Sequence, residues 1–268
     1  MKTLFDIVDF KKQEVEQRKQ LYPVRLLETS IYFESDSVSL KKYLLRKDKS
    51  GIIAEFKKQS PSLGIINKYA EIEKISIGYM QSGASALSVL TDSKYFGGSN
   101  NDLTLARKFN YCPVLRKDFI IDEYQILEAK SIGADAVLLI ASILTSQEIK
   151  NFSRLAHQLK MEVLLELHCE EEINKVDGDV DVIGINNRDL KTMSIDLTHS
   201  VRMKKLLPSN AVLVSESGIN KPEDALLLKK EGYNGFLIGS HFMKQAKPHE
   251  ACRTFIAKFN QLIHSHEN

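Results

Sequence analysis

Cysteine is scarce in this 268-residue sequence, and the three that occur, Cys112, Cys169 and Cys252, lie far apart. Their number is odd and no two form a Cys-x-x-Cys pair, which argues against a disulfide framework and against a structural zinc site. Such sparing use of cysteine is typical of proteins in a reducing compartment. We therefore predict a cytoplasmic location.

An excess of one charge and a long apolar run are also missing. Because 37 basic residues face 35 acidic ones, the formal net charge is only +2, and nothing favours a nucleic-acid or anionic-membrane partner. The longest apolar run, 136–144, contains Ser142 and is too short to cross a bilayer. The first 20 residues are charged throughout, unlike a signal peptide. The sequence predicts a globular protein without nucleic-acid or membrane partners.

After residue 50, short apolar runs alternate with amphipathic stretches. The runs are typical of buried strands and recur roughly every 20 to 30 residues. They cover 52–56, 86–90, 112–117, 136–140, 163–167, 181–186, 212–216 and 235–239. Eight strands that alternate with helices predict a (β/α)8 TIM barrel. The alternative, an open doubly wound sheet, would normally have fewer strands in this length.

The first 50 residues follow a different pattern. Apolar residues at helical spacing, among them Leu4, Ile7 and Val15, predict an amphipathic helix up to about residue 20. A shorter helix is expected over 40–46. The length alone is compatible with two small domains or one large one. We predict one domain over 1–268, with a helical extension at 1–50 and the barrel at 51–268.

Polar side chains stand at the ends of several of these apolar runs. Glu55 and Lys57 are two residues apart, so they would project together from the end of a buried strand. Two opposite charges there need either each other or a ligand. The carboxyl ends of the strands form the active site of a (β/α)8 barrel. The candidates at these ends are Glu55, Lys57, Lys117, Glu166, Asn186, Asn187, Arg188, Glu216, Ser217, Gly218, Gly239 and Ser240.

The last two strand ends predict a phosphate site. Barrels often bind phosphate with the loops after strands seven and eight and the start of a short helix. Ser217-Gly218 and Gly239-Ser240 offer hydroxyl donors and backbone that an anion can approach closely. Arg188 could add a charge-assisted contact. We therefore expect a phosphate-bearing substrate.

These residues also have plainer interpretations. Gly218 and Gly239 could be turn residues only, and Glu55 and Lys57 could form a structural ion pair. Glu216 could orient a substrate without taking part in the chemistry. No metal site is predicted, because the histidines lack the spacing of metal ligands. The scattered histidines concerned are His168, His199 and His241.

The motifs around the candidate residues closely resemble those of the indole-3-glycerol-phosphate synthase family of tryptophan biosynthesis. The resemblance covers residues 51 to about 245, in order and at appropriate spacing. It rests on IIAEFKKQSPSLG, ALSVLTDSKYFGGS, PVLRKDFIIDEYQI, LLELH, IGINNRDLKT, VSESGI and GFLIGSHFM. The first 50 residues resemble the family's helical extension, which packs over the barrel mouth. Leu63 departs from the basic residue of many members, which alters a loop and is not expected to remove the chemistry.

The resemblance implies conversion of 1-(2-carboxyphenylamino)-1-deoxyribulose 5-phosphate to indole-3-glycerol phosphate, with release of carbon dioxide and water. It implies no metal or organic cofactor. Lys117 would be the general acid at the ribulose carbonyl, and Glu166 would transfer protons around the dehydration. A lysine near other cations can have a lowered pKa, which would suit a proton donor.

The resemblance assigns supporting roles to the remaining candidates. Lys57 would bind the substrate carboxylate and could act as a second acid, tuned by Glu55, so the division of labour between the two lysines stays open. Asn186 and Glu216 would orient the substrate. The phosphate would rest on Ser60, Arg188, Ser217, Gly218, Gly239 and Ser240.

Two other functions remain as alternatives. A lysine at a strand end could form a Schiff base, as in an aldolase that acts on a sugar phosphate. A non-catalytic sugar-phosphate-binding barrel is the second, although the charged set argues against it. Phosphoribosylanthranilate isomerase, another barrel of the pathway, fits that set poorly. The expected partner is a small molecule, the phosphorylated anthranilate–sugar adduct. We expect a monomer, with weak self-association left open.

Overall fold

A computed structural model, which describes residues 4–176 and 178–267, contains a closed barrel of eight parallel strands. The strands are β1 (Ile52–Phe56), β2 (Ala86–Leu90), β3 (Val114–Lys117), β4 (Ala136–Ile140), β5 (Glu162–Leu167), β6 (Val182–Asn186), β7 (Leu213–Glu216) and β8 (Gly235–Ile238). The barrel closes because β1 pairs with both β2 and β8. The predicted (β/α)8 barrel is confirmed, and each predicted run overlaps its strand.

Helices fill the connections. They are α1 (Leu4–Leu21), α2 (Val24–Leu27), α3 (Leu40–Leu45), α4 (Ile72–Gln81), α5 (Ser93–Phe96), α6 (Asn100–Phe109), α7 (Glu123–Ser131), α8 (Ser146–Gln158), α9 (Thr198–Lys204), α10 (Pro222–Lys230), α11 (Ser240–Met243) and α12 (Pro248–Glu267). A 3-10 helix covers Glu170–Lys175. Side-chain caps fix several helix starts: Asp122 accepts from the Tyr124 amide, and Thr145 and Glu148 form a capping box before α8. No described helix has the length and apolar character of a membrane span.

The strands separate two apolar clusters. Ile52, Ala54 and Phe56 of β1 pack outward against the helices, whereas Ile53 packs inside the barrel. Successive residues of a strand point to opposite faces, so Glu55 belongs to the inward face with Ile53. The same alternation places the last inward side chain of several other strands at the carboxyl end of the barrel.

The N-terminal extension contacts both ends of the barrel. Leu40 and Leu44 of α3 belong to the inner apolar cluster, and Leu44 packs against Gly235 where β8 begins. We expected the extension to pack over the mouth; for α3 this is wrong, because its two leucines close the opposite end. Lys11 of α1, by contrast, reaches Asp92 and Asp118, which follow β2 and β3.

The loop after β1 forms a small antiparallel hairpin that the sequence did not predict. Its two strands are Gln59–Ser60 and Gly64–Ile65. Leu63, the departure from the family pattern, lies in the turn of this hairpin and is exposed.

Candidate active site

The uppermost inward-facing layer of the barrel carries four charged side chains in place of apolar ones. They come from alternate strands: Glu55 from β1, Lys117 from β3, Glu166 from β5 and Glu216 from β7. Barrel interiors are built of layers of four side chains from alternate strands, which explains how residues so distant in sequence meet. Lys117 is 15% exposed and the three acids less than that. The structure thus brings together three acids and one lysine in a nearly dry layer.

Lys117 lies at the centre of this layer. Its Nζ is 2.9 Å from Glu166 Oε2 and 2.6 Å from Glu216 Oε2. Burial alone would lower the pKa of Lys117, but the charges of Glu166, Glu216 and Glu55 outweigh it and raise that pKa. The expectation of a pKa lowered by cations is therefore wrong, because the nearest charges are carboxylates. Lys117 is a protonated ammonium in the free protein.

The two carboxyl groups on Lys117 have opposite pKa shifts. Burial raises the pKa of Glu216, against the effect of Lys117, and the nearby Glu166 charge raises it further. Burial would raise the pKa of Glu166 too, but Lys117 and His168 outweigh it and hold that pKa well below its usual range. Paired carboxyl groups whose pKa values diverge are typical of acid–base sites. Glu166 is therefore the ionised member, and Glu216 is the one that tends to keep a proton.

Glu216 also has an unused oxygen. Its Oε1 is buried and has no hydrogen-bond partner among the described residues. The side chain fits only because residue 184, beside it on β6, is glycine: a Cβ there would come within 2.4 Å of that oxygen. A buried acceptor without a partner costs free energy, so this oxygen awaits a proton donor or a substrate group.

Glu55 and Lys57 form an ion pair, with Nζ 2.5 Å from Glu55 Oε1. In the free protein they therefore satisfy each other, as the structural interpretation of the sequence proposed. Because an ammonium has three donors, the pair leaves Lys57 able to contact a ligand as well. Gly239 borders the pair, since a Cβ at that position would lie 2.1 Å from Glu55 Oε1. The glycine is thus required by close packing, whatever its part in phosphate binding.

The two asparagines at the end of β6 have different surroundings. Asn186 is paired in register with Glu216 and its Oδ1 accepts a hydrogen bond from the Arg188 amide at 3.0 Å. Asn187 is buried, and its Nδ2 donates to the carbonyls of Glu216 (3.0 Å) and Ser217 (3.1 Å). Asn187 therefore shapes the turn after β7, while Asn186 stands beside the charged layer.

The predicted phosphate residues lie on loops of neighbouring strands. Ser217 and Gly218 both have positive φ, 67° and 83°, which forms a tight turn after β7. Gly239 precedes α11, and Ser240 is the first residue of that helix. Ser60 is in the hairpin after β1, where its Oγ accepts from a backbone amide at 3.2 Å. Because β8 pairs with both β1 and β7, these loops adjoin one another at the rim.

Arg188, the sixth predicted phosphate residue, follows β6, one strand farther round the barrel. Its Nη1 donates to the Met193 carbonyl at 3.2 Å, and burial lowers the pKa of Arg188. This half-buried cation therefore lies on the loop next to the turn after β7, with its guanidinium directed to its own loop in the free protein.

His168 is a site residue that the sequence reasoning missed, because we considered it only as a metal ligand. Its Nε2 lies 3.1 Å from Glu166 Oε1, and its side chain is 8% exposed. His168 follows Glu166 by two residues, the spacing that linked Glu55 and Lys57. The same argument applied to β5 would have found it.

A second cluster ties α1 to the strand ends beside the site. Lys11 Nζ is 2.9 Å from both Asp92 Oδ2 and Asp118 Oδ1, and Asp118 directly follows Lys117. No local sequence signal reveals these contacts, because they join a helix to strand ends about a hundred residues away. Nearby, a cleft of about 390 Å³ separates α1 from the loop after β4. Its lining includes Phe5, Val8, Val15, Ile121, Ser142 and Ile143.

Metal ligation has no support within residues 4–176 and 178–267, where no group of three His, Cys, Asp or Glu side chains could hold an ion. Cys112, Cys169 and Cys252 are free thiols, and Cys112 and Cys252 are buried.

Comparisons with known proteins agree with this geometry. A sequence model of the indole-3-glycerol phosphate synthase family matches residues 4–255. The chain is 47% identical over 253 residues to indole-3-glycerol phosphate synthase of Bacteroides thetaiotaomicron, which covers 94% of this chain and 97% of that protein. It is 44% identical over 243 residues to the protein of the same name from Caldanaerobacter subterraneus subsp. tengcongensis, with coverage of 90% and 93%.

Solved structures of lower identity share the fold. Tryptophan synthase subunit alpha from Legionella pneumophila superposes with a TM-score of 0.59 at 16% identity, over 84% of this chain and 97% of that one. Tryptophan synthase from Pyrococcus furiosus gives a TM-score of 0.57 at 14% identity, over 80% of this chain and 99% of that one. At such identities the likeness shows the barrel fold alone.

Proposed function

We propose, given that the chain belongs to the indole-3-glycerol phosphate synthase family of tryptophan biosynthesis, that its charged layer catalyses the ring closure of this family. The observation that carries the proposal is the position of Lys117 Nζ between two carboxyl groups with opposite pKa shifts. The substrate would be 1-(2-carboxyphenylamino)-1-deoxyribulose 5-phosphate and the product indole-3-glycerol phosphate.

Lys117 would act as the general acid at the ribulose carbonyl. Ring closure places negative charge on that oxygen, and a fixed ammonium in a dry layer stabilises such charge strongly. The raised pKa of Lys117 does not prevent proton donation, because an alkoxide that forms next to it is the stronger base. General acid catalysis typically contributes about 100- to 10,000-fold.

Glu166 would transfer protons in the dehydration, since it is the ionised carboxylate of the pair on Lys117. Glu216, which tends to keep its proton, would orient the substrate through its unused oxygen, together with Asn186. Lys57 would bind the substrate carboxylate until carbon dioxide leaves, and Glu55 would hold the Lys57 ammonium in place. Opposed acids and bases on separate strands let one pocket perform closure and dehydration in turn.

The phosphate would bind at the rim formed by the loops after β1, β6, β7 and β8. The residues proposed for it are Ser60, Arg188, Ser217, Gly218, Gly239 and Ser240. Adjoining loops, a tight turn with positive φ and the start of α11 support this assignment. Arg188 would turn from the Met193 carbonyl to the phosphate, because a charge-assisted contact is stronger than one to a neutral oxygen.

A Schiff-base aldolase is disfavoured by the same cluster. A lysine attacks a carbonyl only as a neutral amine. Lys117 is held protonated by three carboxyl groups, and two of them take its hydrogen bonds. The same ion pairs that suit an acid therefore oppose a nucleophile.

We also propose an enzyme class, a location, an oligomeric state and a partner for the protein. We place it among the carbon–carbon lyases as a carboxy-lyase, because the reaction releases carbon dioxide. We propose a cytoplasmic monomer with one domain over residues 1–268, whose partner is its small-molecule substrate and not nucleic acid.

The test is fluorescence-monitored formation of the indole ring from the carboxyphenylamino sugar phosphate. The protein is made in a host without its own synthase, and no metal is added. Turnover with release of carbon dioxide is expected, and folded protein that gives no indole signal would overturn the proposal. Borohydride added during turnover is expected to trap no adduct on Lys117; a lysine adduct absent from Lys117→Met would favour the aldolase.

A further inference from the structure

The contacts of His168 determine which of its ring nitrogens is protonated. Glu172 Oε2 accepts the backbone amide of His168 at 2.6 Å, and Glu172 Oε1 is 2.5 Å from Ser142 Oγ. Both Glu172 oxygens thus accept hydrogen bonds, and the single hydroxyl proton of Ser142 goes to Glu172. Ser142 Oγ also lies 3.1 Å from His168 Nδ1 and can only accept there. Nδ1 therefore carries a proton.

The other ring nitrogen faces Glu166. Nε2 lies 3.1 Å from Glu166 Oε1, and both side chains are less than 10% exposed. If His168 were neutral, the lone pair of Nε2 would face a carboxylate oxygen, and two buried acceptors would oppose each other. The contact is favourable only when one proton lies between them, on Nε2 or on Glu166. The N–H is not yet aimed for a linear bond, as is common before substrate binds.

We propose that His168 is a positioning residue. It shares this one proton with Glu166 and supplies the proton to the Glu166 carboxylate during the reaction. The inference rests on the proposed role of Glu166. When the substrate loses hydroxide, the Nε2 proton passes to Glu166, which delivers it to the departing oxygen, and water leaves. Glu166 is then a carboxylate again; it removes a proton from the substrate and passes that proton back to Nε2. One proton is given and one is taken, so the pair ends in its starting state.

The charges that face His168 favour the protonated ring. Burial would lower the pKa of His168, but Glu166 from β5, Glu172 from the 3-10 helix and Glu216 from β7 outweigh it and raise that pKa. Lys117 lies beyond Glu166, whose carboxylate stands between the two cations, 2.9 Å from Lys117 Nζ and 3.1 Å from His168 Nε2. His199, from α9, has a pKa lowered by burial and is neutral beside the imidazolium.

The variant His168→Gln separates a proton relay from a structural contact. The glutamine amide can still donate to Glu166 but cannot exchange a proton. We expect kcat to fall at least about tenfold, with KM changed less than about threefold. In the wild type, kcat should decline as the pH rises through the raised pKa of His168, because the stored proton is lost; in His168→Gln that decline should disappear. The matched control is His157→Gln, an exposed histidine paired with Asp181, which should leave both unchanged.

The ring can also be observed without turnover. Nitrogen-15 NMR of the wild type at neutral pH should show both His168 nitrogens protonated, and in Glu166→Gln the pKa of His168 should fall. A neutral His168 with bare Nδ1 at that pH overturns the proposal. A drop in kcat that leaves the alkaline decline in place also overturns it, because it indicates a merely structural role. Folded wild type without turnover contradicts the proposed function, while the NMR result still decides the protonation of His168.

Discussion

Two lysines of this barrel have similar surroundings and different consequences. Lys11 lies 2.9 Å from Asp92 and from Asp118, and Lys117 lies within 2.9 Å of Glu166 and Glu216. In both clusters, burial would lower the pKa of the lysine, but the nearby carboxylates outweigh burial and raise that pKa. Charge and burial alone therefore do not distinguish the two clusters.

The difference lies in the other bonds that their carboxylates make. Asp92 Oδ1 accepts the Tyr95 and Phe96 amides as the cap of α5. Asp118 accepts from Thr91, Arg116 and its neighbour's amide. The remaining oxygen, Asp92 Oδ2, has no hydrogen bond but has the Lys11 ammonium at 2.9 Å, so each oxygen of these two acids has a partner in the protein.

In the Lys117 cluster, by contrast, Glu216 Oε1 has no hydrogen-bond partner among the described residues, and Glu166 Oε1 faces a histidine that can exchange a proton. The Lys11 cluster, in which each oxygen of Asp92 and Asp118 has a hydrogen bond or an ion pair, fastens α1 to the barrel. The Lys117 cluster has an acid oxygen with neither among the described residues and a histidine that can exchange a proton, so it is able to bind and react.

The largest effect is expected from Lys117→Met. It removes the acid and should lower kcat by about 100- to 10,000-fold, while binding through the phosphate survives. Stability should fall less than in Lys11→Met, because Glu216 already tends to keep a proton and His168 remains beside the Glu166 carboxylate. Single-turnover fluorescence and product binding by calorimetry measure the two parts. Near-wild-type turnover would contradict the role of Lys117 as the general acid. Lys117 would then be a structural lysine like Lys11.

Lys11→Met should lower the stability of the protein and leave its turnover largely unchanged. Removing one member of a buried ion cluster leaves unpaired charge and typically costs about 3 to 5 kcal/mol. Urea unfolding should show this loss, while kcat of the folded enzyme falls less than about tenfold. The matched control is Lys12→Met, because Lys12 is 64% exposed and pairs only loosely with Asp9; such surface pairs contribute below about 1 kcal/mol. Equal stability of the two variants would mean that the Lys11 cluster does not fasten α1.

The two lysine clusters also differ in which of their features could be predicted from the sequence. Strand periodicity located Glu55, Lys117, Glu166 and Glu216, because each is the last residue or the last but one of an apolar run. The pKa direction of Lys117 could not be read, since its partners lie 49 and 99 residues away along the chain. It depends on which strands face each other across the barrel.

The extension shows the same limit. The sequence predicted a short helix over 40–46, which the structure places at Leu40–Leu45, but not that Leu40 and Leu44 would enter the inner cluster at the end opposite the site. Lys11 looked like one charge among many on an amphipathic helix. Local patterns identify elements and faces, whereas the tertiary partner of a face depends on the whole chain.

The smallest effect is expected from Glu216→Gln, and its value lies in the pH dependence. Glu216 has a raised pKa, so its contribution to stability is full below the ordinary glutamic acid value, about 4.3, and is lost as the pH rises through the raised pKa. The glutamine variant should therefore gain in melting temperature relative to the wild type as the pH rises. Its kcat should stay within about tenfold, because glutamine resembles the protonated acid.

Glu166→Gln should show the reverse trend. Glu166 has a lowered pKa, so its contribution is present above the ordinary value and lost at lower pH. That variant should be least stable, relative to the wild type, near neutral pH. Melting curves of both variants from about pH 4 to about pH 9 make the comparison. Parallel trends would show that the pKa values of Glu166 and Glu216 are shifted in the same direction. The assignment of Glu166 as the ionised base and of Glu216 as its protonated neighbour would then be wrong.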